Sequence, residues 1–207
     1  MKYRFALAVV LSAVLMACST PPSAPRDASG VHYDSSAQAL ADGFALTQEV
    51  NGPAAQVARI YTGAQGRRLL VLGERRASGF QETGWGFVLP CEHCGFDLPP
   101  SENLSVSWSG PALHIRDRSL SMESGVETDA LLVLRFTPEK QQWRLARVEQ
   151  HSKFHKKGTA EKAIIDYDLG YSYDATGRLA DGQWVVASSQ EDRAQRRHLP
   201  IHELNLY

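Results

Sequence analysis

The chain holds 207 residues, with 22 basic and 23 acidic side chains and a formal net charge of −1 at neutral pH. That balance leaves no clustered cationic footprint of the kind that meets nucleic-acid phosphates. No internal repeat points to a solenoid or propeller.

In chain order, Lys2 and Arg4 precede an apolar run from Phe5 to Met16. The run is too short to span a hydrocarbon core, which is the build of a cleaved export signal. It ends in Leu15-Met16-Ala17-Cys18, which resembles the lipobox of bacterial lipoproteins, with Met16 a less usual occupant of its slot. The resemblance implies that residues 1–17 are a lipoprotein signal peptide. It also implies that Cys18 becomes an acylated first residue, carrying a thioether-linked diacylglycerol and an amide-linked chain. Several chains at about 0.8 kcal/mol per buried methylene give stable attachment, so the membrane is an expected partner through the lipid anchor. An ordinary secretory signal with Cys18 incidental is the alternative. Ser19 stands where an inner-membrane retention signal would put Asp, so the expected location is the outer membrane, facing the periplasm. Loss of Lys2 and Arg4 leaves a formal charge of −3. Residues 18–30 are expected to be a flexible tether, since Ser19 to Ala28 holds three prolines and no large apolar residue. Residues 31–207 then form a single β-rich domain, long enough for a substantial core.

Ser36 to Glu49 is the one predicted helix, with Asp34 or Ser35 as cap and Ala37, Leu40, Ala41, Phe44 and Ala45 on one face. Gly43 weakens it by about 1 kcal/mol relative to Ala. Beyond it, short runs of period two, rich in β-branched and aromatic residues, predict strands. They are Val57 to Tyr61, Arg68 to Glu74, Glu82 to Leu89, Leu104 to Trp108, Ala112 to Arg116, Ala130 to Phe136, Trp143 to Gln150, Ala163 to Asp168 and Trp184 to Ala187. Thr62-Gly63, Ser109-Gly110-Pro111, Pro138 to Gln141 and Asp174 to Gly177 carry turn chemistry between them, which predicts antiparallel neighbours. The expected fold class is mainly β, an antiparallel sandwich or partly closed barrel with one short N-terminal helix.

Pro90-Cys91-Glu92-His93-Cys94-Gly95 is the densest chemical signal. In an exported protein Cys91 and Cys94 are expected to be oxidised to each other, tying a loop at a strand end. A second reading is a thioredoxin-like redox pair, but that motif opens a long helix, and Gly95, Pro99 and Pro100 follow too closely to continue one. A third is zinc held by Cys91, His93, Cys94 and a distant His114 or His151, although the second ligand pair of structural zinc sites is missing. No metal or cofactor is expected.

His151 and His155 sit four apart at the end of a strand and could share a face, beside Lys153, Lys156 and Lys157. Asp166 and Asp168 alternate on the next strand, and Tyr171 and Tyr173 follow. Tyrosines give large, rigid, amphipathic contact area at low entropic cost, so these four are the candidate partner-contact residues. A polar outer face with Tyr packed inward is the competing origin, and a glycosidase pair of carboxylates a further one. No nucleophile elbow, phosphate loop or zinc helix signature occurs.

Several segments resemble a family of largely uncharacterised exported bacterial β proteins. They are Arg68 to Gly73, Leu89-Pro90-Cys91-Glu92-His93-Cys94-Gly95-Phe96, Leu131 to Phe136, Gln142 to Arg147 and Ser152-Lys153-Phe154-His155. Members with an acidic calcium-type loop before the Leu-rich strand differ from this chain, which has Asn51-Gly52-Pro53-Ala54 there, so calcium is not carried over. More distantly, the layout of lipobox, tether and β domain is similar to envelope lipoproteins that inhibit lysozyme-like muramidases, including immunity proteins. The expected anchor, the strand pattern and the lack of a catalytic constellation point to a non-enzymatic outer-membrane lipoprotein that binds another envelope protein, with a muramidase inhibitor or immunity protein as the class the resemblance implies, and with a periplasmic thiol-disulfide oxidoreductase using Cys91 and Cys94 or a structural envelope lipoprotein as alternatives.

Overall fold

The structure is a computed structural model and describes residues 33–180, 183–194 and 196–204. The expected signal at residues 1–17, the expected acylation site Cys18, the expected tether and the expected domain start at Val31 lie outside the described residues.

The predicted helix is shorter than its pattern. Helix α1 spans Ser36–Ala41, capped by the Ser35 hydroxyl, which accepts the Gln38 N–H at 3.2 Å. Gly43, at φ +90°, ends it, and Ala45–Asn51 becomes strand β1 instead of further helix. The Gly43 backbone lets the chain reverse, and Phe44 then buries as an anchor. The inward residues are Ser36 and Ala39, not Ala37 and Ala41.

Four strands form a small antiparallel meander, β1-β2-β3-β4, with β2 Gln56–Thr62, β3 Arg68–Arg76 and β4 Gly79–Gly86. A larger meander takes β5 Leu104–Ser109, β6 Ala112–Ser121, β7 Val126–Thr137, β8 Gln142–Phe154, β9 Thr159–Asp166, β10 Tyr171–Ala180 and β11 Gln183–Arg193 in sequence order. Strand β12, Leu199–Pro200, adds to β8. A four-residue helix, α2, covers Pro100–Asn103 before β5. The two sheets pack as a sandwich, and the barrel alternative is not what the chain adopts.

Strand β3 is buried on both faces, which is why Leu69-Leu70-Val71-Leu72 reads as a continuous apolar run. Leu70 and Leu72 meet Leu113, Ile115, Leu132, Leu134 and Leu145 between the sheets. Leu69 and Val71 meet Tyr33, Ala39, Phe44 and Phe87 on the other side, beneath α1. Trp143, 2% exposed, sits at the centre of the inter-sheet core. Its ring lies edge-on to Trp108 at 5.8 Å, and its Nε1 donates to Thr83 Oγ1 at 3.0 Å, tying the sheets together.

Several boundaries differ from the pattern. The strand expected over Glu82 to Leu89 ends at Gly86, and Phe87, Val88 and Leu89 bury as a link out of the sheet. Asp174 to Gly177 is not a turn but the middle of β10, which the sequence reading missed together with β1 and β12. The strand expected over Ala163 to Asp168 starts at Thr159 and stops at Asp166. Strand β8 carries a bulge at Ala146, whose carbonyl accepts the Tyr167 N–H at 2.9 Å. The bulge falls where β8 changes neighbours, from β12 at Arg144 and Leu145 to β9 from Arg147 onward.

Candidate partner-binding surface

Residues directly opposed in an antiparallel sheet point to one face. Two rows of the large sheet therefore place the predicted tyrosines side by side on the face turned away from the small sheet. One row runs Arg147, Asp166, Tyr171, Arg193, and the next runs Glu149, Ile164, Tyr173, Glu191. Tyr171 and Tyr173 are both half-buried. Desolvation first, then the charge and hydrogen bond of Glu191, raise the Tyr171 hydroxyl above its ordinary value.

The carboxylates have different work. Asp166 is 9% exposed, and its Oδ1 accepts the N–H groups of Asp168 at 3.0 Å and Leu169 at 2.9 Å. That Asx geometry ends β9, so Asp168 lies in the turn and not one pleat further along the strand. Asp168 bridges Arg144 and Arg135, the latter at 3.0 Å. Leu169, in the turn that leads into Tyr171, is 68% exposed, an apolar residue that the sequence reading missed.

Around the tyrosines the same face carries a ladder of opposite charges. Glu149 accepts from Arg147 at 2.9 Å and from Lys162 at 2.5 Å. Glu127 meets Lys153 at 3.0 Å and His155 at 3.2 Å. Burial alone would raise both glutamates, but the cations hold them below their ordinary values. His151 and His155 do not pair. His155 opens a 3-10 turn, whereas His151 lies against Trp184 with ring centroids 5.0 Å apart. Among the described residues neither His151 Nε2 nor Trp184 Nε1 has a hydrogen-bond partner. Burial first, then Lys153 and Lys162, lower the basicity of His151.

The cysteine turn stands apart from this face. Cys91 and Cys94 are joined as a disulfide, with Cα atoms 5.1 Å apart. A buried polar clamp holds the turn. Asn103, fully buried, donates to the carbonyls of Cys91 at 3.1 Å and Glu92 at 3.0 Å, and accepts from Arg68 at 3.1 Å. Arg68 also donates to the Pro90 carbonyl at 3.2 Å, and burial lowers its basicity. The motif leads into turns and then α2, and opens no long helix. Among the described residues no group of three or more His, Cys, Asp or Glu side chains converges to hold a metal. A depression of about 370 Å³ between β4 and the β7–β8 turn is lined by Gln81, Thr83, Trp85, Gln141 and His202.

The fold and surface together define a two-sheet antiparallel β sandwich with a tyrosine-bearing outer sheet face. No family model matches the chain, and no curated protein matches it. A solved structure, the β-propeller domain of Nup133 from Vanderwaltozyma polyspora, is 8% identical over 74% of this chain and 48% of that one, with a TM-score of 0.24, too loose for a shared fold.

Proposed function

We propose that the chain is a non-enzymatic, lipid-anchored protein of the outer membrane whose β domain binds another envelope protein, a muramidase being the leading partner class. The observation that carries the reading is the pair Tyr171 and Tyr173, half-buried in adjacent rows of a sheet face, with Ile164 opposite Tyr173 and the exposed Leu169 in the turn just before Tyr171. Rigid aromatics within a charged rim are the composition of binding surfaces that gain most of their affinity from a few anchors. Asp166 and Asp168 act behind them, fixing the β9–β10 turn and the arginines beside it. The anchor at Cys18 and the outer-membrane location rest on the lipobox-like Leu15-Met16-Ala17-Cys18 and on Ser19. The disulfide serves the fold in this reading, since Asn103 and Arg68 clamp its turn from both sides.

The test is inhibition of envelope muramidases by the full chain, alongside capture of periplasmic proteins on it. Inhibition or capture that weakens at least tenfold in the Tyr171→Ala/Tyr173→Ala double variant supports the reading. Full retention in the double variant, or an inert full chain in both assays, rejects it.

A further inference from the structure

Two loops at one end of the sandwich carry large apolar side chains into solvent. Phe96 and Met122 are 72% and 73% exposed, the highest values for large apolar side chains among the described residues. Backbone contacts hold the two loops together. Phe96 bridges to Leu120, the Asp97 N–H donates to the Leu120 carbonyl at 2.9 Å, and the Met122 N–H donates to the Asp97 carboxylate at 2.6 Å. Phe96 takes φ +55°, a left-handed backbone that favours glycine and is rare for a bulky residue. The surrounding hydrogen bonds enforce that strain, yet the ring joins none of the core clusters.

The same end receives the chain from its N-terminal side. Tyr33, the first described residue, packs against Phe44 and Phe87 with ring centroids 6.2 and 5.6 Å apart. Phe44 packs on Gly63, at the start of the β2–β3 turn. In that turn the Gly66 carbonyl accepts the Glu92 N–H at 2.8 Å, and the chain runs from Glu92 through the disulfide loop to Phe96. Beyond Met122, the Gly125 carbonyl accepts the His155 N–H at 2.8 Å, and Lys156 Nζ donates to the Glu123 carbonyl. Strand β6 leads from Gly110 to Met122 and β9 from Gly158 to Leu169, so Gly110 and Leu169 lie at the opposite end.

We propose that this end rests on the phospholipid bilayer, with Phe96 and Met122 inserted at the headgroup level and Lys156 and Lys157 reaching lipid phosphates. This docking deepens the lipid-anchored reading and rests on it. The place where the chain enters the domain selects the bilayer as occupant. Residues 19–32 join Tyr33 to the expected acylated Cys18, and they can span at most on the order of 50 Å. The longest strand, β8, is itself on the order of 40 Å long, so turning the opposite end to the bilayer would stretch that connection nearly to its limit. Tethering also makes the contact intramolecular, so two apolar tips too weak to hold a free protein suffice. Around them Arg67, Lys156 and Lys157 are balanced by Glu92, Asp97 and Glu123. Apolar burial, with the lysine stems lying along it, therefore holds the contact, and net charge does not. In this posture Leu169 and Tyr171 lie at the end away from the bilayer, open to the proposed envelope partner.

Depth-dependent quenching tests it. The full chain is purified from its native membranes and reconstituted in vesicles of phosphatidylethanolamine and phosphatidylglycerol at three to one. A fluorophore is attached at Ser124→Cys, in the turn beside Met122, or at Ser109→Cys, at the opposite end, both exposed positions. Cys91 and Cys94 are joined to each other and do not compete for the label. Quenching by nitroxide-bearing lipid is expected to be roughly threefold or more stronger at Ser124 than at Ser109. It is expected to fall to the Ser109 level in the Phe96→Ser/Met122→Ser variant and to change little when salt is raised from about 0.1 to 0.5 M. Equal quenching at the two positions, no loss in the double variant, or loss on adding salt would each overturn the docking and leave the anchor standing. Mass spectrometry of the same preparation separates the two readings, since an unmodified Cys18 overturns both.

Discussion

Arg68 and Asn103 show what a single buried polar contact does here. Arg68 is 8% exposed and Asn103 is fully buried, so every donor and acceptor they present must find a partner inside the protein. Together they satisfy the carbonyls of Pro90, Cys91 and Glu92. Asn103→Ala removes three of these contacts at once and leaves a buried cation with one side-chain partner fewer. An expected loss of about 3 kcal/mol follows, readable as a lower urea midpoint. The disulfide closes a loop spanning three positions, so its chain-entropy contribution is small. Cys91→Ser with Cys94→Ser is expected to cost roughly 2 kcal/mol by the same measurement.

His151 sets a pH dependence at the same scale. Its folded pKa is depressed below the ordinary 6.5, by burial first and by Lys153 and Lys162 next. Just below pH 6.5 the unfolded chain therefore binds the proton and the folded chain does not, so stability falls as pH drops through that range and is fully present above it. His198 shifts in the same direction, from burial and then Lys140 and Arg144, and contributes to the same slope. The His151→Gln variant is expected to flatten part of the decline between neutral and mildly acidic pH in urea titrations, and an unchanged slope would contradict a half-buried ring held less basic by its surroundings. Glu127 and Glu149, held low by their cations, add a separate loss only below about pH 4.5.

At the scale of elements, the strands that bury one or both faces were the legible ones. β2, β3, β5, β7 and β8 carry alternation or a continuous apolar run, and periodicity found each of them. β1 was read as helix because Ala45, Leu46 and Gln48 favour helix as single residues, while its pairing with β2 and the Phe44 anchor are long-range effects. β10 was missed because Asp174 to Gly177 looks like a turn, although Asp181-Gly182 is the stronger hairpin dipeptide in the sequence. Gly177 is there for close approach: a Cβ at that position would come within 2.4 Å of Trp184 Nε1 and 2.3 Å of the Val185 carbonyl oxygen. Gly177→Val is expected to expel Trp184 from the face, costing about 2 kcal/mol and releasing its contact with His151, which tryptophan fluorescence reads directly. The tyrosine rows were half legible. Tyr171 and Tyr173 were named from composition, but Leu169 and the commitment of Asp166 to its own turn depend on where β9 stops.

For the whole molecule, one core spans both sheets, and the second lies between α1 and the small sheet. Trp143 belongs to the first and bonds across to Thr83, so it links the halves. Trp143→Ala is expected to cost about 4 kcal/mol and to broaden or split an unfolding transition followed by circular dichroism. The mainly β class and the sandwich were both expected from strand runs joined by short turns, whereas the closing of sheet edges was not, because it depends on Ile201, Trp108 and Phe96 returning from far along the chain. The proposed role places this sandwich on a lipid surface, and that placement hangs on Cys18. Mass spectrometry of the N-terminus of the protein isolated from its native membranes measures it directly. The proposed role requires a chain that begins at Cys18 and carries a diacylglycerol thioether and an amide-linked acyl group. An intact Met1 with no fatty acid would contradict it.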